Sequence, residues 1–436
     1  MSTTDRSGTD APTNEPSTAT GEQAQVLQAE YADLHDERLI QHKGVGGAIR
    51  EFGNRVRGGD LGSLPVVIGL IIIWGVFQAL NPVFLSPTNL VNLTLQMAAT
   101  GTLALGVVLV LLLGEIDLSI GSVSGLSAAI LAVTFVQLDW PLVVSILASI
   151  IAGMAIGLFY GLLYNRFGVP SFVITLAGLL GFLGLQLWVL GRTGSINIPF
   201  DSWIVQFAQQ MFLPEWLAYT LVVLTAAAYA MQLWFTGRRR AAANLSSASP
   251  VSILLRAGAI LVLLGIAVWY LNTGRGVSVM FVFFLALVVI MNFFLTRTGW
   301  GRSVYAVGGN VEAARRAGIR VKRIYLSVFM LCSTLAAVGG LMAAARLAAA
   351  NQSSGGGDIN LNAIAAAVIG GTSLFGGRGS AFSALLGILV IASIASGLTL
   401  LNLDSSVRFM VTGAVLLLAV IVDALSRRSR TASGRA

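Results

Sequence analysis

LVNLTLQMAATGTLALGVVLVLLL, the stretch from Leu90 to Leu113, contains no charged residue. A helix of about 20 apolar residues is long enough to cross a hydrocarbon core of about 30 Å, so this stretch predicts a membrane span. The whole chain has the same character, because 56% of its 436 residues are hydrophobic and only 11% are charged. A soluble domain carries about 25% charged residues. The composition therefore predicts an integral membrane protein.

Similar apolar stretches follow one another from Leu64 almost to the end of the chain. Two of them have features typical of broken or re-entrant helices: 361–375 is short, and 170–191 begins with a proline and contains several glycines. We expect an all-α, polytopic membrane helix bundle with about 10–12 transmembrane spans. The expected spans are 64–80, 90–113, 120–138, 140–163, 170–191, 215–235, 251–271, 277–296, 324–344, 361–375, 382–401 and 407–425.

The predicted membrane domain, 63–425, lies between two polar tails. Residues 1–62 are rich in Ser, Thr and acidic residues and too poor in apolar groups to fold alone, so we expect a largely disordered cytosolic tail. Residues 426–436 form a basic tail. Because Lys and Arg favour the cytoplasmic side, basic groups such as Arg238–Arg240 and Arg427–Arg428 predict that both termini of this multi-pass protein are cytoplasmic, in a bacterial inner membrane.

The scarce polar residues argue against an enzyme. Both histidines, His35 and His42, precede the first span, so no imidazole is available in the membrane as a base or a metal ligand. The one cysteine, Cys332, lies in an apolar run, where a small buried hydrophobe is the simplest interpretation. Neither of the two lysines, Lys43 and Lys322, follows a GxxxxG pattern, so we find no P-loop. We expect no catalytic residue, no metal and no cofactor bound by this chain.

A polar insert, GGNVEAARRAGI from Gly308 to Ile319, interrupts the apolar sequence. Asn310 is placed to cap the first turn of a short helix, and Glu312 in that turn suits the positive end of the helix dipole. Gly318 supplies the left-handed residue that ends many helices. A helix of about two turns does not persist alone in water, so it needs a partner surface. A solvated basic loop on the cytoplasmic side is the alternative.

With its flank, this insert reads GRSVYAVGGNVEAARRAGI, from Gly301 to Ile319. It resembles the cytoplasmic coupling segment of permease subunits of ATP-binding-cassette (ABC) importers for sugars, in the ribose, xylose and galactose branch. In that family the short helix docks into a groove of a separate ATPase subunit. The resemblance implies a coupling loop at 297–323 whose ATPase-coupling residues are Gly309, Asn310, Glu312, Ala313, Ala314, Arg315 and Gly318.

Two further stretches are similar to signatures of the same family. GEIDLSIGSVSGL runs from Gly114 to Leu126, and AIAAAVIGGTSLFGGRGSAFSALLG runs from Ala363 to Gly387. A carboxylate at the centre of a bilayer costs about 2.5–3.5 kcal/mol, so we expect the first stretch to line a wet path or to lie at the cytoplasmic rim. An interfacial loop with ordinary caps is the alternative. The candidate residues for a translocation path or gate are Asn92, Gln96, Glu115, Asp117, Ser119, Gly121, Gly370, Gly371 and Thr372.

The resemblance also suggests a substrate and partners. An insertion at about 215–271 and the segment TGSINIPFDSWIVQF, 193–207, look like xylose-type permeases, which points to a pentose. The family implies two permease copies, an ABC ATPase that binds ATP and Mg²⁺, and an extracytoplasmic sugar-binding protein that delivers the monosaccharide. Nucleic acid is not an expected partner, because the basic residues sit in short groups at the ends of apolar runs rather than on one face.

An ion-coupled secondary transporter of a small polar solute is the main alternative function. Such carriers usually keep ionisable groups near the middle of the membrane. In this sequence Glu115, Asp117, Asp358 and Asp404 all fall near the ends of expected spans. The sequence therefore favours the ATP-driven importer.

Overall fold

Helices dominate the computed structural model, which describes residues 64–243, 245, 249–404, 406–407, 409–415, 417–418 and 421. The tails 1–62 and 426–436 lie outside these residues, as does part of the expected span 407–425. In the first half the helices are α1 (Leu64–Leu80), α2 (Pro87–Leu112), α3 (Ile120–Ala132), α4 (Leu142–Phe167), α5 (Ser171–Leu190), α6 (Trp203–Gln209) and α7 (Glu215–Ala242). They are followed by α8 (Pro250–Asn272), α9 (Val279–Arg297), α10 (Gly299–Gly309), α11 (Val311–Arg316), α12 (Val321–Leu347), α13 (Ile359–Ile369) and α14 (Ala381–Leu400).

The expectation of a polytopic helix bundle is confirmed. Among the described residues, nine helices are long and apolar enough to cross a membrane: α2, α3 with its π-helical extension, α4, α5, α7, α8, α9, α12 and α14. The π-helical turn, Val133–Gln137, completes the third expected span. The first helix, α1, is also apolar and has 17 residues.

The two spans with features of broken helices, 361–375 and 170–191, differ in the structure. Helix α13 has 11 residues and ends at Ile369, so it is too short to cross a bilayer by itself. The break expected at 170–191 is not found, because α5 is a continuous helix of 20 residues. Pro170 lies at its start, where a helix tolerates proline. Gly178, inside α5, makes room for the Tyr160 ring of α4, since a Cβ there would collide with the phenol oxygen.

Helix α2 forms the centre of the core. Of the residues in its apolar membrane-spanning stretch, 89% are buried. In α4 and α5 the corresponding share is 28%, and large apolar side chains of these helices are exposed. A helix that is apolar all round and buried all round belongs inside a bundle. Helices α3, α12 and α14 are the next most buried, with 72% of the residues in each apolar stretch buried.

Glycines on α4 allow it to approach α12 closely. The spacing of Gly153, Gly157 and Gly161 predicts small-residue packing against another helix. A Cβ on Gly157 would collide with the carbonyl oxygen of Phe329, and the other two glycines face Ser333 and Leu326 of α12 in the same way. These three glycines therefore form a contact between two helices of this chain.

A small antiparallel sheet was not expected from the sequence. Strand β1 (Ser195–Asn197) pairs with β2 (Ala349–Asn351), with Ser195 opposite Asn351. Because β2 directly follows α12, the pairing ties the segment after α5 to the end of α12.

Contacts divide the described residues into two compact units. One consists of those within Val222–Leu263, and the other consists of those before and after this stretch. The three sequence motifs similar to the importer permeases all lie in the second unit.

Candidate functional site

The polar insert folds as a short capped helix, α11. The Asn310 side-chain oxygen accepts a hydrogen bond from the backbone N–H of Ala313 at 2.9 Å, which satisfies a donor of the first turn. Glu312 accepts from Arg315 at 2.8 Å, and both side chains are more than 60% exposed. Gly318 follows with φ of +82°. The local signals in the sequence therefore specify this helix and both of its ends.

One face of α11 is fixed to the protein and the other is open. Ala314 is 3% exposed, and Val311 and Ile319 pack against the core. An isolated helix of six residues would not persist in water, so this inner contact holds it. The outer face consists of Glu312, Ala313, Arg315, Arg316 and Ala317, all exposed.

Beside α11, the three motifs meet at one place. The backbone N–H of Gly377 donates to the carbonyl oxygen of Leu112 at 2.9 Å. A Cβ on Gly308 would collide with that same carbonyl oxygen, and one on Gly376 would lie 2.9 Å from the nitrogen of Gly114. We call this contact of residues 112–114, Gly308 and 375–377 the glycine junction. It joins the end of α2, the end of α10 and the loop between α13 and α14.

Tyr305 reinforces the glycine junction from α10. Its hydroxyl donates to the carbonyl oxygen of Gly379 at 2.9 Å. Partial burial raises the pKa of Tyr305 above its ordinary value, so the phenol remains a donor at physiological pH. The bond adds a second link between α10 and the loop between α13 and α14.

Asp117 is buried within the bundle, at 1% exposure. One of its oxygens accepts from the backbone N–H and the hydroxyl of Ser119, at 2.8 and 2.7 Å. The Ser119 oxygen in turn accepts from the Tyr160 hydroxyl at 2.8 Å. The hydrogen bonds from Ser119 offset part of the cost of burying this carboxylate. Its place on a wet path or at the cytoplasmic rim stays a prediction. No cationic side chain pairs with Asp117 in the part of the chain that the structure describes.

Glu115 occupies a different environment, although it is two residues away. It is half-buried and accepts from the Tyr164 hydroxyl at 2.6 Å, while the Tyr164 ring lies 4.5 Å from that of Tyr325. Tyr160 and Tyr164 are four residues apart on α4, so one helix face donates both to Ser119, which bonds Asp117, and to Glu115. Sequence reasoning missed these tyrosines; the available signal was their i, i+4 spacing in an otherwise apolar span.

Two other candidates for the translocation path, Asn92 and Gln96, lie far from Glu115 and Asp117. Asn92 is exposed and accepts from Arg275 at 2.6 Å. It lies at the opposite end of α2 from Gly114, about 30 Å away along the helix axis. Gln96 is half-buried, one turn further along α2. The predicted path residues therefore form separate groups rather than one continuous lining.

Four other candidates lie near helix ends within the motifs. The backbone N–H of Gly121 donates to the side-chain oxygen of Asn360 at the start of α13. Gly370 packs against the backbone of Ser383, and Gly371 has φ of +101°. Thr372 is buried, and its hydroxyl has no hydrogen-bond partner among the described residues. Within the described ranges, no group of three or more His, Cys, Asp and Glu could hold a metal ion.

Comparison with known proteins agrees with the motifs. The family model described as "Branched-chain amino acid transport system / permease component" matches residues 89–420. The chain is 36% identical to the xylose transport system permease protein XylH of Escherichia coli K12 over 345 residues, 79% of this chain and 87% of that protein. Its similarity to XylH of Haemophilus influenzae is also 36%, over 83% of this chain and 96% of that protein. The ribose import permease protein RbsC of Bacillus subtilis is 32% identical over 84% of this chain and 94% of its own length. No solved structure matches.

Proposed function

The chain belongs to the permease components of the branched-chain amino acid transport system family, and on that premise we propose that it moves a monosaccharide, a pentose such as xylose, through the membrane for an ATP-driven importer. The relatives named for xylose and ribose support a sugar rather than an amino acid as substrate. The identity to the xylose permeases, 36%, is higher than the 32% to the ribose permease and favours the pentose xylose.

The observation that carries the proposal is the arrangement of α11 over the glycine junction. Its inner face is buried through Ala314, and its outer face offers an exposed ion pair, Glu312 with Arg315. A partner protein that binds the outer face of α11 and then moves would displace α10 and α11 together. Because Gly308 touches the end of α2 without an intervening side chain, that displacement would reach the membrane helices directly.

The proposal implies partners for this chain. ATP and Mg²⁺ would bind a separate ATPase subunit, which would contact α11. An extracytoplasmic binding protein would deliver the sugar to the opposite side of the membrane, and a second permease copy would complete the pathway. Both termini would lie in the cytoplasm, on the side of α11, as the distribution of basic residues predicts.

A charge reversal on α11 tests this proposal. Glu312→Arg should reduce co-purification of the ATPase subunit and sugar uptake at least tenfold, because a charge at the centre of an interface is worth about 2 kcal/mol or more. The readouts are uptake of labelled D-xylose by cells that lack the native gene, and mass spectrometry of proteins purified with the permease. Arg166→Glu, an exposed charge reversal at the end of α4, is the matched control. Normal uptake by Glu312→Arg would rule out α11 as the coupling element.

A second candidate, an ion-coupled transporter, is favoured by buried Asp117. A carboxylate inside a membrane bundle without a cationic partner is a functional-site hypothesis in its own right. The permease alone in proteoliposomes, with an imposed H⁺ or Na⁺ gradient, discriminates between the two. Accumulation of D-xylose under these conditions would support ion coupling and contradict the ATP-driven proposal.

A further inference from the structure

A polar cavity lies beside the end of α12 that is remote from α11. It has a volume of about 170 Å³ and is enclosed by α2, α3, α12 and the turn that follows β2. We call it the polar cavity. Most of its wall consists of Ala, Gly, Leu and Ile, and its polar lining residues are Thr100, Ser124, Asn351, Ser353 and Ser354.

The hydroxyl of Thr100 differs from those of its neighbours on α2. Thr94 and Thr102 donate to the carbonyl oxygens of Val91 and Ala98, at 2.7 and 2.8 Å. Such bonds to the preceding turn satisfy a threonine hydroxyl inside an apolar helix. Thr100 makes no side-chain hydrogen bond to any residue that the structure describes, and it lines the polar cavity. Its hydroxyl is therefore available to a ligand.

The turn after β2 supplies further free polar groups. The side-chain oxygen of Asn351 accepts from the backbone N–H of Ser353 at 2.9 Å and from the Ser354 hydroxyl at 3.4 Å. These bonds orient the amide and leave its NH₂ group without a partner among the described residues. The Ser353 hydroxyl likewise makes no bond there, and Ser353 is exposed. The residues that line the polar cavity thus carry one amide donor and two hydroxyls without partners among the described residues.

The turn is held in place by a buried glutamine on α5. Gln186 is 0% exposed, and its NH₂ group donates to the carbonyl oxygens of Asn351 and Ser354, at 3.0 and 2.9 Å. The β1–β2 pairing fixes Asn351 from the other side. The polar lining is therefore positioned before any ligand arrives, which lowers the entropic cost of binding.

The chemistry of the lining selects a neutral ligand. No Lys, Arg, Asp or Glu borders the polar cavity, so an ionised ligand would lose its hydration without compensation. A cavity of about 150 Å³ holds a benzene ring, so this one matches a single six-membered ring. Hydroxyl and amide groups on one side and apolar wall on the other suit a ring that carries hydroxyls and C–H groups.

We propose that the polar cavity is a monosaccharide-binding site within one permease chain, and that Thr100, Asn351 and Ser353 hydrogen-bond the sugar as it passes. The inference rests on the proposed function and names the place where the substrate is recognised. Three neutral hydrogen bonds give weak binding. Weak binding suits a site on a transport path, because the sugar must also be released.

Removal of one free hydroxyl tests the site. Thr100→Val keeps the shape of the side chain and should raise the KM for D-xylose uptake by about fivefold, since a neutral hydrogen bond contributes about a factor of 2–10. Thr94→Val, which loses a hydroxyl already bonded to its own helix, should leave the KM unchanged. Equal KM values for Thr100→Val and wild type would overturn the assignment of Thr100.

Protection of a cysteine tests the site independently of transport. In Ser353→Cys, the added thiol lies at an exposed position, whereas the native Cys332 is fully buried. D-xylose should slow labelling of this variant by a membrane-impermeant maleimide, and the acidic D-gluconate should not. An unchanged labelling rate at saturating D-xylose would overturn the site while the wild type still imports the sugar. Failure of the wild type to import any monosaccharide would instead overturn the proposed function, and the site with it.

Discussion

The glycine junction and the polar cavity consist of different kinds of contact. At the glycine junction the contacts are between backbone groups: Gly377 donates to the Leu112 carbonyl oxygen, and Gly308 lies against the same group. In the polar cavity, hydroxyl and amide side chains form part of the lining, and several have no partner among the described residues. Close-packed backbone transmits displacement because it has few alternative arrangements. Unsatisfied side chains instead offer hydrogen bonds to a molecule that comes and goes.

The difference suggests that the two regions have separate functions, with movement transmitted at the glycine junction and the sugar recognised at the polar cavity. Substitutions at the glycine junction should change how fast the protein works without altering its preference among sugars. Substitutions around the polar cavity should change the sugar concentration that it needs. Each prediction below tests one side of this division.

The largest effect is expected at Gly308. Gly308→Ala places a Cβ against the Leu112 carbonyl oxygen, and such overpacking costs about 1–3 kcal/mol. The maximal rate of D-xylose uptake should fall at least about tenfold, with little change in KM. Gly184→Ala, inside α5, is the matched control, because a Cβ there meets nothing within 4 Å. Equal rates for the two variants would show that the glycine junction does not depend on close approach.

An intermediate effect is expected at Gln186, a positioning residue of the polar cavity. Gln186→Met fills a similar volume but leaves two carbonyl oxygens without their donor, at a cost of about 1–3 kcal/mol. The thermal midpoint of the purified permease should fall, and the KM for D-xylose should rise severalfold. Gln206→Met, on α6 with its bond at the surface, is the control. A lower midpoint with an unchanged KM would indicate a purely structural role for the glutamine.

The smallest effect is expected at the cap of α11. Asn310→Ala removes the acceptor for the Ala313 N–H and should destabilise the helix by about 1 kcal/mol. Sugar-stimulated ATPase activity of the assembled importer should fall severalfold, while KM stays constant. Asn310→Asp retains a capping oxygen and should restore most of the activity. If Asp and Ala behaved alike, the cap would not contribute to coupling.

The sequence predicted the region of α11 better than the polar cavity. The start and end signals of α11 lie within nine residues, at Asn310, Glu312 and Gly318. A local sequence pattern therefore predicts both the helix and its cap. Hydropathy likewise predicted most spans. The polar cavity combines Thr100 with Asn351, and no local pattern connects residues so far apart in the chain.

The structure departs from the sequence expectation at 170–191 and adds detail at Asp117, in both cases for local physical reasons. The proline and glycines of 170–191 suggested a broken span, yet Pro170 precedes the first turn and Gly178 accommodates the Tyr160 ring. The stretch with Asp117 was expected to line a wet path or lie at the cytoplasmic rim, because an ionised carboxylate is costly in a membrane. In the structure the side chain is buried and accepts hydrogen bonds from Ser119, two residues away, and no signal in the sequence predicted this burial.

The exposure of α11 in the assembled importer tests the central claim most directly. In the isolated chain Glu312 and Arg315 are each more than 60% exposed. A structure of the complete complex should show both side chains covered by the nucleotide-binding subunit, with Ala314 still packed on the permease. A complex in which residues 312–317 face open solvent would contradict the claim that ATP-driven movement enters the membrane helices through α11.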